Sequence, residues 1–185
     1  MVINEKLDAR VPTLIQAEAD RREIERIDPD SALSEDEAYA LQFQCIDYKV
    51  ARGDVVVGLK TGLTSKAKQA TMGVHQPILG HILASSVVPE GGPVRCAELI
   101  HPRADPEIAF LLDRDLEGPV TAAQACNATA LVFPAVEIID SRFANFRFGL
   151  TDVIADNTSA ARVIFGSASI RPTDADLRLI GMIYS

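Results

Sequence analysis

The segment His101-Pro-Arg-Ala-Asp-Pro-Glu-Ile-Ala-Phe110 decides how this chain is read. Asp105 and Glu107 stand at i and i+2, directly ahead of the apolar run Ile108-Ala-Phe-Leu-Leu112. As a strand, the run alternates its side chains, so both carboxylates leave one face, about 7 Å apart along it. Like charges so placed repel unless water or a cation separates them. A hard divalent cation suits carboxylate oxygens and keeps open positions for a chelating ligand. Two acids in this spacing are, taken alone, more often a solvated strand start at a sheet edge. The surrounding sequence therefore has to decide.

Downstream, Ala130-Leu-Val-Phe-Pro-Ala-Val-Glu-Ile-Ile-Asp140 is a nearly continuous apolar strand with Glu137 as its one charge before the end. A carboxylate there is costly unless it is neutralised, protonated or bound to a metal. Between the two strands, Asp113 to Pro119 reads as a surface turn, and Thr121 caps an Ala-rich helix to about Thr129. After Asp140 come Ser141-Arg142, the aromatic-basic segment Phe143 to Phe148, a polar loop from Ile154 to Ser159, and the strand Arg162 to Phe165. Asp176 to Tyr184 reads as a final strand.

Upstream, Asp54 to Val57 predicts a short strand running into Gly58-Leu-Lys-Thr-Gly-Leu-Thr64, where Lys60 and two glycines mark a tight backbone crossing. Ser65 caps a short helix, Lys66 to Met72, closed by Gly73. Gly80 to Leu83 is strand-like, and Val87 to Val94 reads as two β segments around a Gly-Gly turn. Ser34-Glu-Asp-Glu37 has the capping-box form and opens a helix to about Ala51, with Tyr39 and Gln42 one turn apart on it. Residues 1 to about 27 fit one or two amphipathic helices interrupted at Pro12. The pattern is α+β: a helical segment over 1–53 and a β-rich core over 54–185 built on a mixed sheet or roll.

A chain of 185 residues is by default a single domain. Its net charge of −8 disfavours nucleic acid and anionic membranes as partners. No apolar run approaches the ~20 residues of a membrane span, and the first ten residues lack the apolar core of a signal peptide, so the expected location is the cytoplasm. Cys45, Cys96 and Cys126 lack metal spacing and read as free thiols, and His75, His81 and His101 are not spaced as metal ligands.

Several segments together resemble one family, the 2-oxo-3-hexenedioate (4-oxalocrotonate) decarboxylases and 2-keto-4-pentenoate hydratases of the fumarylacetoacetate hydrolase superfamily. They are Ala38-Tyr-x-x-Gln42, Val57-Gly-Leu-Lys-x-Gly-Leu-Thr-Ser65, Met72-Gly-Val-x-x-Pro77, Ile100-His-Pro-x-x-x-x-Glu-Ile-Ala-Phe110, Pro134-x-Val-Glu-x-Ile-Asp-Ser-Arg142, Asn145-Phe146 and Ala155-Asp-Asn-x-Ser159. Leu-Ile-His-Pro, Asn-Phe-x-Phe and Pro77-Ile78 lean towards the decarboxylases. The resemblance implies a β-roll or barrel-like core, C-terminally shortened in this chain. It implies one Mg²⁺ or Mn²⁺ held by Asp105, Glu107 and Glu137, the first of these a glutamate in most of the family. It further implies a small 2-oxo dicarboxylate as substrate, contacted by Lys60, Leu63 and Ser159, with Lys60 and Arg142 as candidate catalytic residues. Arg142 either orients Glu137 or Asp140 or forms a structural ion pair. The expected activity is decarboxylation; the alternatives are hydration or an inactive partner subunit. A homo-oligomer or a complex with a paralogous hydratase is the expected assembly.

Overall fold

The computed structural model describes residues 8–72 and 74–182. The first helix, α1, is a single element, Arg10–Asp20, where two interrupted pieces were expected. Pro12 falls in its first turn, where a backbone N–H has no intrahelical acceptor and its loss costs little. Helix α2, Glu35–Val50, starts at the expected capping box: the Ser34 hydroxyl accepts the Glu37 N–H and the Glu37 carboxylate accepts the Ser34 N–H. Val11 and Leu14 of α1, Leu41 and Cys45 of α2, and Phe143 and Ala155 form one buried cluster. The helical segment is thus packed directly onto the chain that follows the central strands.

Two sheets follow. In the smaller, β1 (Val56–Gly62) pairs antiparallel with β2 (Ile78–Leu83), setting Lys60 opposite Gly80 and Gly62 opposite Ile78. The expected crossing at Gly58–Gly62 is therefore itself a strand. Two glycines of this sheet face the 157–159 turn closely: a Cβ on Gly62 of β1 would lie 2.5 Å from the Thr158 methyl, and one on Gly80 of β2 would lie 2.7 Å from the Asn157 carbonyl oxygen, whereas a Cβ on Gly58 would meet only the Ile82 side chain at an ordinary 3.8 Å. Helix α3, Lys66–Met72, bridges the two strands; its expected cap, Gly73, lies outside the described residues.

The larger sheet runs β3 (Val87–Val88), β6 (Ala160–Phe165), β5 (Thr129–Ile139), β4 (Arg103–Leu112), parallel at the β3–β6 step and antiparallel elsewhere. Only Val87 and Val88 of the expected pair of segments are strand, because Pro89 to Gly92 makes a tight turn at once. Helix α4 (Ala122–Asn127), capped reciprocally by Thr121 and Gln124, joins β4 to β5. Helix α5, Leu150–Ala155, takes in Ile154 and Ala155, expected at the start of the polar loop; burial of Val153, Ile154 and Ala155 supplies the driving force. The expected last strand is absent among the described residues. Leu177–Leu179 is one turn of 3₁₀ helix, started by the Asp176 carboxylate accepting the Arg178 N–H. Helices packed on mixed sheets make the chain α+β.

Candidate functional site

Register does the positioning. Asp105 of β4 lies directly opposite Glu137 of β5, and Glu107 lies opposite Ala135. Directly opposed residues of an antiparallel pair share a face, so the three carboxylates occupy one patch of it. Glu137 is 6% exposed, and Asp105 and Glu107 are half-buried. Burial pushes the Glu107 carboxyl above its ordinary range, and the charges of Asp105 and Glu137 add to the shift. Burial likewise raises Glu137, against the pull of the Lys60 ammonium. Among the described residues no three Asp, Glu, His or Cys side chains are closed to metal-ligand spacing. The carboxylates share a face without meeting at a point.

Lys60 reaches this face from β1. Its Nζ lies 2.9 Å from Glu137 Oε2 and donates to the Thr158 carbonyl at 3.1 Å, with only 9% of the side chain exposed. An ammonium has three donors, and the third has no partner among the described residues. The turn that supplies the Thr158 carbonyl is unusual. Asn157, Thr158 and Ser159 all have left-handed backbone, with φ of 49°, 53° and 57°. Three such residues in succession, one of them β-branched, persist only where the surroundings enforce them. The Ser159 hydroxyl is buried and has no hydrogen-bond partner among the described residues. The patch therefore combines three carboxylates and one ammonium, with Ser159 next in the chain to the carbonyl that holds the ammonium. Three hard oxygen ligands facing a single ammonium are a donor set that fits Mg²⁺ or Mn²⁺ rather than a metal favouring sulfur or nitrogen.

Other expected residues are placed elsewhere. Arg142 is buried against Asp156, pairing through its Nε, and makes no hydrogen bond to Glu137 or Asp140. Of the two readings open to it, the structural ion pair is the one seen. Asp156, at the C-terminal end of α5, holds its guanidinium instead. Asp140 accepts the Ile100 and His101 N–H groups at 2.8 and 2.7 Å and so fixes the approach to β4. The Leu63 side chain packs against the cluster of Ala38, Ile78, Val153 and Ile154, and its carbonyl accepts from Gln69. His101 spans the Glu23 carboxylate and the Ser141 carbonyl. Tyr39 and Gln42 tie α2 to β2: the tyrosine hydroxyl accepts the Leu79 N–H, and the Gln42 amide donates to the Leu79 and Ile154 carbonyls.

A cavity of about 450 Å³ lies against the β4–β5 hairpin. Glu107 borders it, but Pro106, Ile108, Val132, Pro134 and Val136 form much of its wall. Alternation puts those five on the face opposite the carboxylates, so cavity and carboxylate patch stand largely back to back.

No protein-family model matches the chain. It is 43% identical over 171 residues to the 4-oxalocrotonate decarboxylase of Pseudomonas sp. (strain CF600), covering 90% of this chain and 64% of that protein. It therefore spans a little under two thirds of that relative. It is 39% identical to a 2-hydroxypent-2,4-dienoate hydratase of Pseudomonas putida, covering 82% of this chain and 69% of the hydratase. A solved 4-oxalocrotonate decarboxylase from Pseudomonas putida G7, complexed with magnesium and adipate, superimposes with a TM-score of 0.87 at 38% identity, over 95% of this chain and 69% of that one. The chain belongs to the family of 4-oxalocrotonate decarboxylases and 2-keto-4-pentenoate hydratases.

Proposed function

We propose that this chain serves the metal-dependent decarboxylation of 2-oxo-3-hexenedioate to 2-hydroxypenta-2,4-dienoate, a step of meta-cleavage aromatic catabolism. The observation that carries the reading is the Lys60 ammonium set against buried Glu137 on the face that also holds Asp105 and Glu107. Asp105, Glu107 and Glu137 would hold one Mg²⁺ or Mn²⁺, the kind of ion named with the solved decarboxylase. Bound there, the ion supplies Lewis acidity to a 2-oxo acid that chelates through its carboxylate and keto oxygens.

The reaction breaks the bond to the far carboxylate, which leaves as CO₂. The electron pair moves through the conjugated carbons to the keto oxygen, which takes one proton from water and ends as a hydroxyl. Negative charge thus grows at one oxygen, and the residues act there. Lys60 offers its third N–H to that end of the substrate and offsets the charge. Ser159 offers its buried hydroxyl to the substrate carboxylate. Leu63 contributes an apolar margin. In the same reading the sheets belong to a roll of the fumarylacetoacetate hydrolase type, and the working unit is a cytoplasmic oligomer of this chain or its complex with a paralogous hydratase.

The test is CO₂ release from 2-oxo-3-hexenedioate by the purified chain with Mg²⁺, with Mn²⁺ and with chelator. Release with either metal, none with chelator, and none from Glu107→Gln are expected. Turnover that survives chelation would sink the proposal. The hydratase relative gives a second reading its weight: consumption of 2-hydroxypenta-2,4-dienoate without CO₂ would select it.

A further inference from the structure

We propose that Asn157 is a positioning residue that sets Lys60, acting through the backbone of β2 and the turn it begins. The inference rests on Lys60 belonging to the functional site. The Asn157 side chain behaves as a short piece of strand. Its Oδ1 accepts the His81 N–H at 2.7 Å, and its Nδ2 donates to the His81 carbonyl at 2.9 Å. A carboxamide is the one small side chain that satisfies both groups of a peptide at once. Asparagine is also the non-glycine residue that best tolerates left-handed backbone, which the turn requires here.

From this clamp the geometry passes to Lys60 in one step. Thr158 adds a second tie, donating its hydroxyl to the Leu79 carbonyl at 2.9 Å, and its own carbonyl takes the Lys60 ammonium. Gly80 leaves no slack: a Cβ there would stand 2.7 Å from the Asn157 carbonyl oxygen and 3.0 Å from Lys60 Cδ. The strand is tied to α2 as well, since the Leu79 carbonyl that takes the Thr158 hydroxyl also takes the Gln42 amide. The Gln42 amide nitrogen donates to two carbonyls, so Gln42 Oε1 is an acceptor and the His81 Nδ1 facing it at 3.0 Å carries the hydrogen. Residues 79–81 are thus held by both Gln42 and the 157–159 turn. The Lys60 stem lies in the remaining gap, and its ammonium is aimed at Glu137.

Two variants separate the clamp from the backbone strain. Asn157→Gly keeps the left-handed conformation and deletes the amide; Asn157→Asp keeps the acceptor and removes the donor. Three measurements are made on the whole chain: kcat and KM for metal-dependent decarboxylation, the rate at which each lysine is acylated (by peptide mass spectrometry), and the melting midpoint. Loss of aim should lower kcat by about 10- to 100-fold with KM changed by less than about 3-fold. Lys60 alone among the lysines should acylate faster, by about 10-fold or more, since an ion-paired buried amine is protected and an unaimed one is not. In a Lys60→Met background Asn157→Gly should cost no further kcat. Unchanged Lys60 acylation in both variants, or a rise shared by all lysines, overturns the proposal. So does a kcat loss that adds to that of Lys60→Met. Should the wild type turn over no substrate, the decarboxylase reading fails and the acylation pattern alone decides for or against the clamp.

Discussion

Lys60 and Glu137 are each more than nine-tenths buried and satisfy one another. Removing one partner of such a pair strands a charge, whereas replacing both removes the problem. Lys60→Met should therefore destabilise the fold by about 3–5 kcal/mol, and Lys60→Met/Glu137→Gln should recover most of that loss; urea midpoints decide. The sequence allowed half of this to be read. Glu137 stood out as the one acid within an apolar run, and Asp105 and Glu107 as neighbours on a strand face. The identity of its counter-charge could not be read, because Lys60 lies 77 positions earlier on a different sheet and no periodicity links them. Asn157 was less visible still. Its partners are backbone groups of His81, which carry no residue signature.

Helices and strands were legible in proportion to how local their causes are. The capping boxes of α2 and α4 are written within four residues, and both helices start where expected. Ser34→Ala should cost about 1 kcal/mol, since it leaves the Glu37 N–H without its acceptor; a shift in urea midpoint without a change in slope would show it. Strand β1 was misread for the opposite reason. Gly62 looks like a breaker until the 157–159 turn is known to press against the sheet. That contact yields a sharper test. Gly80→Ala puts a methyl 2.7 Å from the Asn157 carbonyl oxygen, a backbone atom that cannot swing aside. It should lower stability by about 1–3 kcal/mol, as overpacking does, and free the Lys60 amine to acylation. An equal change at Gly91, where nothing lies within 4 Å but φ is +75°, should leave Lys60 untouched.

For the molecule as a whole, the raised proton affinities of Glu107 and Glu137 fix a pH dependence. An acid raised on folding binds its proton more tightly folded than unfolded. The stability it contributes is complete below the unfolded value of 4.5 and is lost as pH rises through the higher folded value. The depressed carboxylates act in a lower window, Asp8 and Asp28 below 3.8 and Glu18 and Glu37 below 4.5. The metal-free melting midpoint should therefore decline as pH climbs above 4.5, and Glu137→Gln should flatten that decline. Added Mg²⁺ should raise the midpoint more at pH 8 than at pH 5, because its ligands must shed protons first. At 100-fold excess over Kd the gain is about 2.7 kcal/mol. Equal gains at both pH values would argue against carboxylate ligands. The Lys60–Glu137 contact also bears on the order of events in the life of the chain. A domain whose acids have no internal counter-charge cannot complete its fold until an ion arrives. Here the ammonium already occupies that role, so synthesis and folding can run to completion in a metal-starved cell and loading can come later. Such a protein would keep its shape through purification in chelator and be restored on the bench by the ion alone.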